Sequence, residues 1–273
     1  MIEQILNAAK SDERIRAVSM EGSRANPAVP SDYYQDYDIS YYVTDAAPFF
    51  NNTEWIVANF GEPLVMQMPE TLRGAENDGR FIYLMIFPDG NRLDLSIKPW
   101  VYEDTGEPSV TLLDKDDGNG FRPKMPGYDD SFWHIKPPSG LFYYSCTNNF
   151  WWCLNNVAKG IARDELPYVM EMLYHVRGNM HEMLEWYIGV NHGFNISAGK
   201  DGKYFKKFLP PEIYSRYTAI YSGSDYADIW KAIFTMCDLF RTVALAVAAH
   251  FSFEYKQEDE DGIRKYIDMV RQA

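Results

Sequence analysis

Apolar positions along the first hundred residues alternate between two spacings. Ile2, Ile5, Leu6 and Ala9 recur at the step of one helical face, so residues 1–10 predict a short amphipathic helix. Ile15 to Met20 predicts a strand that ends at Glu21-Gly22-Ser23-Arg24. Residues 25–35 hold Pro27 and Pro30 among polar neighbours and read as a loop. Tyr37 to Val43 predicts a second strand and Leu64 to Met68 a third. A hairpin follows: Phe81 to Phe87 is apolar, Pro88-Asp89-Gly90-Asn91 is a turn, and Arg92 to Ile97 alternates polar with apolar. This half is a mixed sheet with at least one helix.

Residues 101–140 lose the pattern and are expected to be loop, most polar at Asp114-Lys115-Asp116-Asp117-Gly118-Asn119-Gly120. That segment lacks the closing Glu of a twelve-residue calcium loop, which leaves a surface loop. From Leu141 the period becomes helical, with long helices expected over 142–162, 165–190 and 225–253 and a last one over 261–271. The class is therefore α+β, a sheet-bearing N-terminal part followed by helices. No internal repeat or low-complexity tract interrupts this division.

Composition narrows the partners more than the fold. Hydrophobic residues make up 46% and aromatic residues 16%, enough for a packed core with rings left for a ligand pocket. The net charge of −13 repels nucleic acid and favours a cationic partner. Cys146, Cys153 and Cys237 have no CxxC spacing, so neither a disulfide framework nor a zinc site is expected. The N-terminus lacks the basic and apolar regions of a signal peptide, and no apolar run reaches eighteen residues. A reduced, cytoplasmic protein with no membrane partner is the simple inference.

The candidate chemistry lies at the ends of the strands. Asp36 and Asp38 are two apart and fall on one face of the second strand. Such neighbours repel unless a cation lies between them, and hard oxygen donors suit magnesium. In Arg92-Leu93-Asp94-Leu95-Ser96-Ile97, Asp94 shares the polar face with Arg92 and Ser96. Asp36, Asp38 and Asp94 on neighbouring strands are expected to converge and hold metal for an in-line phosphoryl or nucleotidyl displacement. Gly22 permits a sharp turn and close approach of backbone N–H groups to phosphate; Ser23 adds a donor and Arg24 a clamp. No GxxxxGK[ST] or GxGxxG sequence occurs, which excludes a P-loop and a dinucleotide fingerprint.

The order of strand, Gly-Ser, loop, Asp-x-Asp and a later isolated Asp resembles the nucleotidyltransferase superfamily typified by DNA polymerase β. In detail, GSRANP, QDYDISYYVTD, FGEPLVMQMPE and FPDGNRLDLSI are similar to the aminoglycoside 6-adenylyltransferase family, which modifies streptomycin. NNFWWCLNNVAKGIARDELP and GKDGKYFKKFLP are similar to its C-terminal half, and the likeness spans roughly residues 1–255.

The resemblance implies a nucleotidyltransferase domain over 1–135 and a helical bundle over 136–273. It implies ATP as co-substrate, Mg2+ on Asp36, Asp38 and Asp94, and nucleotide phosphates on Gly22, Ser23 and Arg24. Asp94 either completes the metal site or takes the hydroxyl proton. Glu182 and Glu185 are the alternative bases, because related antibiotic nucleotidyltransferases use a glutamate from the helical domain. Lys200 and Lys203, flanking Gly202, reach the triphosphate or the departing pyrophosphate. Adjacent Trp151 and Trp152 cannot both be buried in one place, so one is core and Trp152 is a candidate substrate contact. His175, His181 and His192 lack i, i+4 metal spacing. The expected reaction moves AMP from ATP to a hydroxyl of an aminoglycoside lying between the domains, as a monomer or dimer. A lincosamide acceptor, or a non-catalytic nucleotide-binding module, is the alternative.

Overall fold

The computed structural model describes residues 1–75, 78–99, 108–116 and 130–273, in two compact units, Met1–Phe132 and Trp133–Ala273. The first unit opens with helix α1 (Ile2–Ser11), whose Ile5, Ala8 and Ala9 are buried. Strands β1 (Ile15–Glu21) and β2 (Tyr37–Val43) flank a single helical turn, α2 (Gly22–Ala25). Helix α3 (Thr53–Phe60) follows, then β3 (Val65–Gln67), β4 (Phe81–Ile86), β5 (Arg92–Pro99) and β6 (Val110–Asp114). They form one six-stranded sheet in the order β3-β4-β5-β2-β1-β6. The central β2–β5 pair is parallel and its neighbours are antiparallel.

Alternation along the strands gives the sheet two unlike faces. Val18, Ile39, Tyr41, Leu93, Leu95 and Ile97 are buried in one core with Ile5 and Ala9 of α1 and Ile56 and Phe60 of α3. Tyr41 sits in that core without a stranded hydroxyl, because its OH donates to the Ile5 carbonyl of α1. Asn52 caps α3 by accepting from the Trp55 N–H at 3.0 Å, and Gly61 ends it at φ 87°. The opposite face carries Ser19, Glu21, Asp38, Ser40, Asp94, Ser96 and Lys98.

One expectation needs correction. The stretch 101–140 is not all loop, because β6 adds to the edge of the sheet beside β1. Residues 117–120 of the polar tract lie outside the described residues.

The second unit is helical. Helix α4 (Gly140–Ala162) is capped by Ser139, which accepts from the Phe142 N–H at 3.3 Å. It folds back through a three-residue turn onto α5 (Leu166–His192). A side chain at Gly160 would approach Val169 Cγ2 to 2.7 Å, so the two helices touch where only glycine fits. Two shorter helices, α6 (Phe205–Phe208) and α7 (Pro211–Thr218), precede the long α8 (Tyr226–Phe251) and the last, α9 (Gln257–Gln272). Phe150 of α4 stacks on Phe240 of α8 with centroids 3.6 Å apart, at the middle of a core that includes Leu154, Leu173, Met183 and Val243. By length and composition α8 could cross a bilayer, yet 56% of its most apolar window is buried in this core.

Candidate active site

Strand register builds the site. Glu21 of β1 pairs with Asp38 of β2, and Asp38 pairs with Asp94 of β5. Paired residues on adjacent strands point to one face about 5 Å apart, so three carboxylates stand in a row across the three central strands. Behind them a row of Ser19, Ser40 and Ser96 runs parallel. Glu21, absent from the sequence expectation, accepts from Ser40 Oγ at 2.9 Å and from Lys98 Nζ at 3.3 Å. Lys98 is 5% exposed, so this cation is committed beneath the acids. The sequence signals were slight: Glu21 directly precedes the Gly-Ser turn, and Lys98 continues the two-residue step of Asp94 and Ser96.

Asp38 carries the electrostatic cost of the row. Burial is the main reason its carboxyl is raised to about 6, and the charges of Asp94, Asp36 and Glu21 push in the same direction. Arg92 opposes them only in part. A surplus of carboxylate oxygens is the donor chemistry that a hard divalent cation takes.

The glycine turn is built against this row. Gly22 has φ 68°, and a Cβ there would lie 2.1 Å from Asp38 Oδ2. Any side chain at that position would displace the acid. Arg24, expected as a phosphate clamp, makes its contacts here within the protein. Its Nε and Nη2 donate to the Gln35 carbonyl at 3.1 and 2.8 Å, and its guanidinium lies 3.9 Å from the Tyr37 ring centroid. In return, Gln35 Nε2 donates to the Ser23 carbonyl at 3.2 Å. This reciprocal clasp fixes the Gly-Ser turn to the residues on either side of Asp36. Ser23 lies half-buried on the same turn.

The predicted convergence of three acids holds in part. Asp38 and Asp94 are brought opposite each other, but Asp36 precedes β2 and is not held by its alternation. Among the described residues no three acidic, histidine or cysteine side chains are grouped closely enough to hold an ion. Arg92 bridges two of these acids. Its Nε and Nη2 donate to the two oxygens of Asp94 at 2.9 and 2.7 Å, and its Nη1 lies 3.4 Å from Asp36 Oδ2. A guanidinium thus sits between Asp94 and Asp36.

The remaining candidates belong to the helical unit. Trp151 is 1% exposed and Trp152 is 65% exposed, the split that adjacent helical positions require. Glu182 and Glu185 lie on α5, and desolvation by the surrounding protein raises both carboxyls. For Glu185 the charges of Glu182 and Asp201 add to the rise. The Cys146 thiol beside Glu182 is itself pushed far up, mainly by burial. Lys200 and Lys203 are exposed at the 3-10 turn Lys200–Gly202, where Asp201 adopts φ 55°. That turn packs on α5.

Known proteins share this sequence and fold. The family model described as streptomycin adenylyltransferase matches residues 1–270. A Bacillus subtilis protein named aminoglycoside 6-adenylyltransferase is 37% identical, over 99% of this chain and 96% of its own length. A Campylobacter jejuni protein of the same name is 35% identical, over 94% of this chain and 90% of its own. A crystal structure of an aminoglycoside 6-adenyltransferase from Bacillus subtilis superposes with a TM-score of 0.50 at 32% identity, covering 100% of this chain and 98% of that one.

Proposed function

The chain belongs to the streptomycin adenylyltransferase family, and on that premise we propose that it transfers AMP from ATP to a hydroxyl of an aminoglycoside. Streptomycin, modified at position 6, is the first acceptor assigned, and resistance to it is the consequence for the cell. Residues 1–135 are assigned the nucleotidyl transfer and 136–273 a share in acceptor recognition. The observation that carries this reading is the pairing of Asp38 with Asp94 on adjacent strands, against a glycine bend that admits no side chain.

Each residue has a stated task. The Gly22-Ser23 turn supplies backbone N–H groups and a hydroxyl to the phosphates. Asp36, Asp38 and Asp94 would hold Mg2+, which when bound offsets the charge of the triphosphate and polarises the α-phosphorus. Asp94, or Glu182 or Glu185 with their raised carboxyls, takes the proton from the attacking hydroxyl. Lys200 and Lys203 offset the charge that builds on the departing pyrophosphate. Trp152, Glu182 and Glu185 are also assigned to binding the amino sugar, whose positive groups the net charge of −13 attracts. Three cysteines without disulfides fit a reducing cytoplasm.

The test is mass spectrometry of streptomycin after incubation with the protein, ATP and magnesium. One added AMP is expected, with pyrophosphate released in equal amount. No adduct on streptomycin, but one on another amino sugar or a lincosamide, would replace the acceptor and keep the reaction. No adduct on any acceptor would end the reading.

A further inference from the structure

Arg92 has no part in the reaction outlined above, yet it pairs directly with the acid row. Its guanidinium forms a fork on Asp94, one N–H to each oxygen, at 2.9 and 2.7 Å. The remaining terminal nitrogen faces Asp36 at 3.4 Å. Asp94 is on β5 and Asp36 is in the loop leading to β2, so one side chain ties together acids from two segments.

The two ends of this contact differ in freedom. Asp94 is held in the row by strand pairing, with an 18% exposed side chain. Arg92 is the first residue of β5, beside the Pro88–Asn91 turn, and its side chain is 45% exposed. Its half-exposed side chain has water to turn into, so only the fork and the contact with Asp36 hold it in place. Asp94 cannot follow. A divalent ion approaching Asp94 meets both oxygens already engaged and a positive charge beside them.

We propose that Arg92 is a placeholder for the divalent cation: it holds Asp36 and Asp94 together without metal and is displaced from Asp94 when metal binds. The inference rests on the metal-assisted reading of this site. It makes Arg92 a positioning residue whose pairing and metal binding compete for the same oxygens. Without it, Asp36 would be repelled from Asp94 and Asp38 and the loop from Gln35 would lose one of its ties. The acids would then be more open to metal but less ordered in its absence.

The test is binding of Mn2+ to the full chain without nucleotide, followed by the paramagnetic resonance signal of free Mn2+. The proteins compared are wild type, Arg92→Met and Arg92→Lys, each checked for wild-type circular dichroism. Arg92→Met is expected to bind Mn2+ about fivefold more tightly, the factor that matches loss of one competing exposed pair. Arg92→Lys, which keeps the charge and loses the fork, is expected to fall between. In parallel, Arg92→Met should melt earlier than wild type in chelator and with it at saturating Mn2+. Wild-type binding with an equal or weaker constant in Arg92→Met would overturn the placeholder and leave the metal reading intact. Absence of Mn2+ binding in all three would overturn both.

Discussion

Glu260 in the helical unit and Asp38 in the sheet unit are both carboxylates drawn out of water, and their neighbours treat them differently. Glu260, 1% exposed, accepts from Arg241 at 2.9 Å, Arg264 at 2.7 Å, Tyr255 at 2.8 Å and Gln257 at 3.3 Å. Those partners come from α8, the link to α9 and α9 itself, so the charge fastens the last helix to the bundle. Asp38 instead faces three other acids, with Arg92 as a partial counterweight. A buried charge with both oxygens hydrogen-bonded and two guanidinium partners acts as a structural tie. One left with surplus repulsion lowers stability unless something else binds there, and that surplus marks a site for a cation.

The largest expected effect separates these two regions by activity. Asp94→Ala should lower AMP transfer by about a thousandfold, since metal-bound charge stabilisation contributes several kcal/mol. Its urea midpoint should stay close to wild type. Glu260→Ala should do the reverse, costing about 3–5 kcal/mol in urea unfolding because Arg241 and Arg264 lose the charge they surround. The kcat of the protein that remains folded should be little changed. Loss of activity in proportion to loss of stability in both variants would erase the distinction.

A smaller effect is expected at the clasp. Arg24→Met should reduce kcat/KM about tenfold, consistent with about 1.4 kcal/mol for two hydrogen bonds and a ring contact around the turn. Arg24→Lys should not restore it, because a lysine cannot send a fork to the Gln35 carbonyl. Gln35→Ala should cost less than Arg24→Met, since it removes only the side-chain bond to the Ser23 carbonyl and keeps the main-chain carbonyl that Arg24 uses.

The smallest effect is in pH dependence without metal. The folded carboxyl of Asp38, at about 6, lies above its ordinary value of 3.8, so its protonated form is the one that favours folding. Its contribution is fully present below about pH 3.8 and is lost as pH rises through about 6. Asp38→Asn and wild type should therefore melt together near pH 4 and separate by about 1–2 kcal/mol in favour of the variant by pH 7 in chelator.

Much of this was legible in the chain, for physical reasons that also explain the gaps. The alternation of Leu93, Leu95 and Ile97 with Asp94 and Ser96 fixes which side of β5 is buried, and the structure has that side in the core. The same logic puts Asp38 and Asp94 on the polar face of neighbouring strands, while their direct opposition follows from the parallel pairing that the structure adds. Strand β6 was not legible, because Val110–Asp114 is a short run within acidic and glycine-rich sequence and is selected by pairing with β1. Helix α3 was missed although Asn52 and Gly61 bracket it as cap and stop. The contacts of Arg24 and Arg92 depend on how a loop returns to the sheet, which residue spacing does not encode. For that reason neither the bond from Arg24 to Gln35 nor the bridge from Arg92 to Asp36 is foreseen from the sequence.

The most direct measurement pairs two numbers on one variant, Asp38→Asn: the rate of AMP transfer to streptomycin with magnesium, and the melting temperature in chelator at pH 7. The expected result is transfer reduced to background together with a melting temperature raised by about 3 °C. Transfer at the wild-type rate, or a variant that melts lower than wild type, would contradict the claim that charge is left over at this row for the reaction to use.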